Sequence, residues 1–327
     1  MRRMKSLRKV FGLAMIVLVL CLSVTAIGAS KINRSKTLIG FVKEDKGHPV
    51  VRLWQASFLS KAKDIGYLAE LYCGETTDIS QTVTLAEQGL AKGVKGIVTV
   101  AEHTGYYPFI KKASDAGVPV VMCHTIIQNP SDVPGCKAFV ACDNFKCGAN
   151  AALAIGKKLG GKGTVAITQG GFNNTENNTA KGFADAMKQN YPKIKVLDIQ
   201  LETYDPAQAV ARQVAILQSN PDVLAAFSTT GMGPSNWAKA AEQAKRTDLV
   251  IIGMDYIRQN LDLVKEGKVY AVMGQPLWEE IQLGVVLVDK LLHGQKVPFA
   301  NLLPAPVITK DKLNPYYAML KKVEESF

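Results

Sequence analysis

Asp255 closes the run Leu249-Val250-Ile251-Ile252-Gly253-Met254-Asp255, whose leading aliphatic residues suit a strand buried on both faces of a parallel sheet. Gly253 is read as the turn and Asp255 as the first polar group past the strand's carboxyl end, where open α/β sheets bind ligands. A carboxylate there can accept two hydroxyl hydrogen bonds from one small molecule; the competing reading is a helix N-cap, a position that Asp favours. Sequence motifs for catalysis are missing. There is no G-x-S-x-G elbow, no G-x-G-x-x-G after the first strand, no P-loop and no zinc-ligand spacing, and the chain holds only 4 His. This pattern calls for binding without catalysis, no metal and no cofactor.

A length of 327 residues suggests about two domains. Hydrophobic residues at 47% and charged residues at 20% allow sizeable cores. The amino terminus reads as an export leader. Arg2, Arg3, Lys5, Arg8 and Lys9 precede an apolar run from Phe11 to Val24, and Ala26-Ile27-Gly28 supplies small residues for cleavage before Ala29. A retained anchor would need a run nearer ~20 residues, and a lipid on Cys21 is disfavoured by the large Leu20 before it. Removing residues 1–28 takes away those five positive charges and no acids, so the formal charge falls from +11 to +6. No Lys/Arg cluster with interleaved aromatics is present, so no nucleic-acid partner is expected. Five cysteines remain (Cys73, Cys123, Cys136, Cys142, Cys147); an odd number leaves at least one free thiol, and one local bridge among the last three is compatible with their spacing.

To hold polar groups at strand ends the chain needs parallel sheets, and its periodicity provides them. Apolar runs at Leu38–Val42, Ile97–Val100, Val118–Met122, Thr164–Thr168 and Val223–Phe227 read as buried strands. Between them lie helical faces such as Ile79/Val83/Ala86/Leu90, Ala207/Val210/Val214/Leu217 and Ile281/Val285/Val288/Leu292. Repeated strand–helix alternation argues for right-handed βαβ units, about twice as many as one small sheet needs. Phe139–Asn144, with a helix cap at Asp143, and Val272–Pro276, punctuated by Gly and Pro, read as crossings between two sheets. The expected lobes are therefore discontinuous, one holding 37–142 and 276–304 and the other 143–275 and 305–312.

Taken together, IGMD at 252–255, GQP at 274–276, VACDN at 140–144, GVPVVM at 117–122 and NPDVLAAF at 220–227 resemble periplasmic sugar-binding proteins of the ribose-binding type, over residues 37 to about 310. The resemblance implies a type I periplasmic binding protein fold: two Rossmann-like lobes joined by a multi-strand hinge, with the ligand clamped between them. It transfers ligand contacts to the loop 44–51 (Glu44), to His124 and Thr125, to Asn177 in a loop 172–179, to a stacking Tyr204, to Thr230, and to Asp255 and Gln275. Where pentose-binding members carry an Asp-Arg pair, an Arg and two phenylalanines, this chain has His124-Thr125, Asn177 and Val50-Val51. Losing bidentate cationic forks argues against an anionic ligand and against assuming ribose.

Each candidate has a structural alternative. Gln275 could cap the helix after Pro276, Tyr204 could be a strand-edge aromatic, and His124 a satisfied buried histidine. Trp54, Glu44 and His103 could be core or solvated loop residues, and the 173–178 asparagines could simply hold a turn. The expected function is an exported, monomeric receptor that captures a neutral sugar or polyol and delivers it to an ABC permease. The alternative is presentation of a sugar or autoinducer to a sensor kinase or chemoreceptor. A repressor on the same lobes lacks a DNA-reading segment before residue 37.

Overall fold

A computed structural model describes residues 32–326; the leader read at 1–28 lies outside the described residues. Two sheets form. The first contains β1 (Leu38–Lys43), β2 (Leu68–Cys73), β3 (Gly96–Thr99), β4 (Val120–Cys123), β5 (Cys136–Cys142) and β12 (Ala300–Leu303) in the order β2-β1-β3-β4-β5-β12, all parallel. The second contains β6 (Gly163–Gln169), β7 (Ile194–Val196), β8 (Gln200–Leu201), β9 (Val223–Ser228), β10 (Val250–Met254), β11 (Ala271–Met273) and β13 (Val307–Thr309). Its order is β7-β6-β9-β10-β11-β13, with β8 also on β6 and only β13 antiparallel. The two orders match strand for strand, the doubly wound pattern in which strand order reverses beside the first strand of each sheet.

The helices that cover these sheets are α1 (Pro49–Ile65), α2 (Ile79–Lys92), α3 (Tyr107–Asp115), α4 (Asn144–Lys158), α5 (Asn174–Asn190), α6 (Pro206–Ser219), α7 (Gly233–Gln243), α8 (Arg258–Glu266), α9 (Leu277–Leu292) and α10 (Asn314–Glu324). Their ends follow local chemistry. Asp143 caps α4 by accepting from the Lys146 N–H at 3.1 Å, Asp205 caps α6 through the Gln208 N–H at 2.8 Å, and Gly66 stops α1 at φ 88°. The chain passes between sheets at 142–144, 273–277 and 303–307. After the second crossing α9 returns to the first sheet, where the Ser57 hydroxyl donates to the Trp278 carbonyl at 2.7 Å and Gln282 donates to the Ser57 carbonyl at 2.7 Å. Finally α10 lies against both α1 and α8. Tyr316 stacks near Tyr256 at 5.1 Å, and the Tyr317 hydroxyl donates to Asp262 at 2.6 Å.

The expected face of α2 packs on the first-lobe core: Ala86 is buried and Ile79, Val83 and Leu90 are half-buried against it, with Thr82 and Gly89 beside them where the Tyr72 ring comes 2.5 Å from the Gly89 Cβ position. Two local expectations are corrected. Gly253 does not turn the chain: it lies inside β10 and is small because Pro234 packs 2.6 Å from its Cβ position. The five cysteines at 73, 123, 136, 142 and 147 are all free thiols, four of them buried.

In the second lobe, α4 and α5 approach backbone to backbone. A Cβ on Gly148 would meet the Thr179 carbonyl oxygen at 1.8 Å, and one on Gly182 the Phe145 carbonyl oxygen at 2.0 Å. Neither neighbour can rotate away. Gly148→Val should therefore cost about 3 kcal/mol of overpacking and lower the melting temperature by roughly 10 °C. Unchanged thermal unfolding by circular dichroism would contradict the contact.

Candidate ligand-binding site

The carboxyl ends of both sheets face one another across a cleft. Two adjoining depressions of about 270 and 460 Å³ share His48, Val50, Glu102, His124, Asp255 and Gln275. Depressions of 490 and 530 Å³ elsewhere belong to the second lobe alone, and one of 240 Å³ lies at the crossings among Tyr256, Gly274, Glu279, Leu303 and Tyr316.

Backbone conformation singles out the cleft. Among the described residues, five other than glycine have positive φ: Asp45 (54°), His124 (71°), Thr203 (72°), Lys245 (56°) and Asp255 (71°). All except Lys245 line the cleft. Left-handed backbone at non-glycine residues costs of order 1–3 kcal/mol each and persists only where surrounding structure imposes it. Here neighbouring strands impose it: the His124 N–H donates to the Val140 carbonyl at 2.8 Å and the Asp255 N–H to the Met273 carbonyl at 2.9 Å. Each ladder thus continues one residue past its strand before the chain turns. Asn260, fully buried, donates to the carbonyls of Gly231 (2.7 Å), Met254 (3.1 Å) and Asp255 (3.1 Å), tying two loops together.

Asp255 is not a helix cap. The residue before α8 is Ile257, and Asp255 Oδ1 is buried without a hydrogen-bond partner. Its other oxygen comes within 2.5 Å of where a Cβ on Gly231 would stand, so the carboxylate requires glycine there. Burial raises its pKa to about 6, against the pull of His124, while Glu280 pushes it further up. Gln275 is 7% exposed; the residue before α9 is Pro276, so Gln275 is not a cap either, and it lines both depressions.

Opposite, in the second lobe, a buried polar frame holds the wall. Glu176 accepts from the Gly170 N–H (2.6 Å), the Thr229 hydroxyl (2.7 Å), Asn173 (3.1 Å) and the Tyr204 hydroxyl. Glu202, fully buried, accepts from Thr230 (2.5 Å), Ser228 (2.7 Å), Thr168 (2.6 Å) and Gln213 (2.6 Å). Tyr204 is in a loop, not a strand. Its ring covers Gly170 and Gly171, 2.4 Å from the Gly170 Cβ position, and it is 65% exposed. Thr230 and Tyr204 both line the larger depression.

In the first lobe, Lys43 bridges Glu44 (2.6 Å) and Glu102 (2.8 Å). The Tyr106 hydroxyl donates to the other Glu44 oxygen, so Glu44 reaches the cleft with both oxygens engaged. Trp54 is at once core and cleft wall: 3% exposed, lining the smaller depression, with its ring 5.0 Å from that of His124 and its Nε1 unpartnered.

Three expected contacts are not brought in; one is Thr125, half-buried beside His124, which lines neither depression. Asn177 lies within α5, which starts at Asn174 where a loop was expected; it is exposed, its Oδ1 accepts from Gln169 at 3.0 Å, and it lines neither depression. The α5 residues at the cleft are instead Thr175 and Glu176, preceded by the cap Asn173. His103 is exposed and lines neither depression. Residues of the cleft that the sequence did not point to include Lys43, Glu176, Thr203 and Thr229, while His48 lies in the expected loop 44–51. A lysine at the end of a buried strand, as Lys43 is, was a usable signal.

Two doubly wound lobes, crossed three times by the chain and meeting at their strand ends, define a solute-binding protein of the type I architecture. The chain belongs to the periplasmic binding proteins: the family model described as "Periplasmic binding protein domain" matches residues 39–296. It is 29% identical to the xylitol-binding protein of Mycolicibacterium smegmatis over 72% of this chain and 67% of that one. Identity is also 29% to the D-ribose/D-allose-binding protein of Pseudomonas aeruginosa, over 68% of this chain and 70% of the relative. Among solved structures, an arabinose-binding protein from Geobacillus stearothermophilus superposes with a TM-score of 0.80 at 24% identity, covering 86% of this chain and 99% of that chain.

Proposed function

We propose that this protein captures a neutral sugar or polyol between its lobes and presents it to an ABC permease, as a monomer exported after cleavage before Ala29. The observation that carries the reading is one depression lined by Asp255, whose Oδ1 has no hydrogen-bond partner, by Gln275 and by the exposed Tyr204. Sugar hydroxyls both donate and accept, and sugar C–H faces are apolar, so an acceptor, an amide and an aromatic plate suit one ring or chain. Ligand contacts are assigned to Asp255, Gln275, His124, Thr230, Tyr204 and Trp54. Lys43 is engaged by two carboxylates, so its ammonium is not offered to an anion in the cleft. The binding proteins to which the chain is similar bind pentoses, hexoses or pentitols, which supports a ligand of that size.

Closure supplies the signal that a permease reads. A ligand touching both lobes favours the shut state through contacts made only there. A thermal-shift panel of xylitol, D-ribose, D-allose, D-arabinose and D-apiose should yield a binder that adds about 2.7 kcal/mol at 100 times its dissociation constant. That binder should also reduce the radius of gyration in small-angle scattering. No stabilisation by any neutral polyol, or an unchanged radius with a bound one, would overturn the reading. Gly274, at the second crossing, has no room to grow, since Ile308 packs 2.7 Å and Pro306 3.3 Å from its Cβ position.

A further inference from the structure

His124-Thr125 stands where the sequence resemblance has an Asp-Arg pair, and the surroundings of His124 show what took over. Its Nδ1 lies 3.0 Å from Oε2 of Glu280, a fully buried carboxylate in the first turn of α9, just after the second crossing. The other Glu280 oxygen has no partner. A carboxylate only accepts, so Nδ1 carries the hydrogen, and Nε2 on the far edge of the ring is left for the cleft that His124 lines. Nε2 is a donor only if the ring is charged.

We propose that Glu280 is a positioning residue for ligand capture, holding His124 as a fixed imidazolium whose Nε2–H is offered to the ligand beside the free acceptor of Asp255. The assignment rests on the capture reading above for its consequence, and on geometry for its cause. Every element around the ring bears on its charge. Glu280 faces it from α9, Glu102 from the loop after β3 and Asp255 from the end of β10; Trp54 of α1 presents its ring. The near cation, Lys43, is tied to Glu44 and Glu102. Burial works against a charged His124, but Glu280, Glu102 and Asp255 outweigh it and raise the ring's pKa to about 9. Burial likewise pushes the Glu280 carboxyl up, while His124 draws it down.

Capture is then strongest between the two titrations: affinity falls on the acid side as Asp255 protonates near about 6, and on the alkaline side as His124 loses its proton near about 9. Glu280→Gln keeps the shape and an acceptor for Nδ1 but removes the charge, so the alkaline limb should move toward neutral pH.

The first test needs no ligand. Nitrogen-15 correlation spectra of the imidazoles, with His48, His103 and His293 as internal references, should show His124 doubly protonated at neutral pH in the native protein and neutral in Glu280→Gln. Calorimetry with the panel sugar or polyol that stabilises the native protein most should show affinity reduced about tenfold in Glu280→Gln between about pH 7 and about pH 8.5, the two proteins converging above about pH 9 as the native ring also loses its proton. Identical His124 titration in both proteins, or a loss equal at every pH, would overturn the assignment. A panel without any binder would sink the capture reading, and the imidazole titration alone would then decide whether Glu280 sets the state of His124. Should Glu280→Gln not fold, His124→Gln should abolish the alkaline limb, and a persisting limb would overturn the proposal.

Discussion

Asp255→Ala should weaken sugar or polyol binding by roughly ten- to a hundred-fold while raising, not lowering, the melting temperature of the ligand-free protein. The affinity loss follows from removing the acceptor of a charged hydrogen bond, worth about 1.5–3 kcal/mol. The stability gain follows from the unpartnered Oδ1. A folded-state pKa of about 6 against an unfolded value near 3.9 means that folding disfavours the carboxylate by roughly 2–3 kcal/mol. That penalty is fully present above about pH 6 and vanishes as pH falls below about 4, so the gain in melting temperature should vanish over the same range. Calorimetry and thermal unfolding at two pH values check both halves. A lowered melting point with unchanged affinity would return Asp255 to a structural role.

The second large effect is expected from Glu202→Ala. Four side chains, on β6, α6, β9 and the loop after β9, donate to this one carboxylate, and Thr168 in turn accepts from the Trp237 indole at 3.0 Å. Truncation orphans several buried donors at about 1–3 kcal/mol each, for an expected loss of roughly 3–5 kcal/mol after rearrangement. Because Thr230 loses its anchor, ligand affinity should fall with stability, unlike the opposed changes expected at Asp255. Denaturant unfolding measures the first and calorimetry the second. A stability change below about 1 kcal/mol would mean that water replaces the carboxylate without cost.

These two residues also mark how far the sequence could be read. Asp255 stands at the end of an aliphatic run whose composition demands a buried parallel strand, so its placement followed from local pattern. Glu202 was invisible: it follows a strand of two residues, and nothing in its neighbourhood shows that donors 11 to 34 positions away converge on it. Asn177 was misplaced for the related reason that helix starts are set by capping geometry; Asn173 takes the Glu176 N–H at 2.9 Å, and residues one turn further on face elsewhere.

Periodicity, strand-end polarity and Gly/Pro punctuation were enough to determine two parallel α/β sheets and crossings near 142 and 275, because strand burial and helix amphipathicity are nearest-neighbour properties of the chain. They also placed Asp255 and Gln275 at strand ends, and the family resemblance added Thr230 and Tyr204; the larger depression is lined by all four. Tertiary structure alone decided which polar groups remain free. Lys43, Glu44, Glu102, His124 and Glu280 are five ionisable residues of one wall, and their pairing depends on distances across α9 and three strand ends, from segments up to 237 residues apart in sequence. Electrostatic state follows from such distances and from burial. That is why the carboxylate left open at Asp255 and the proton held on His124 could be known only once the chain had folded.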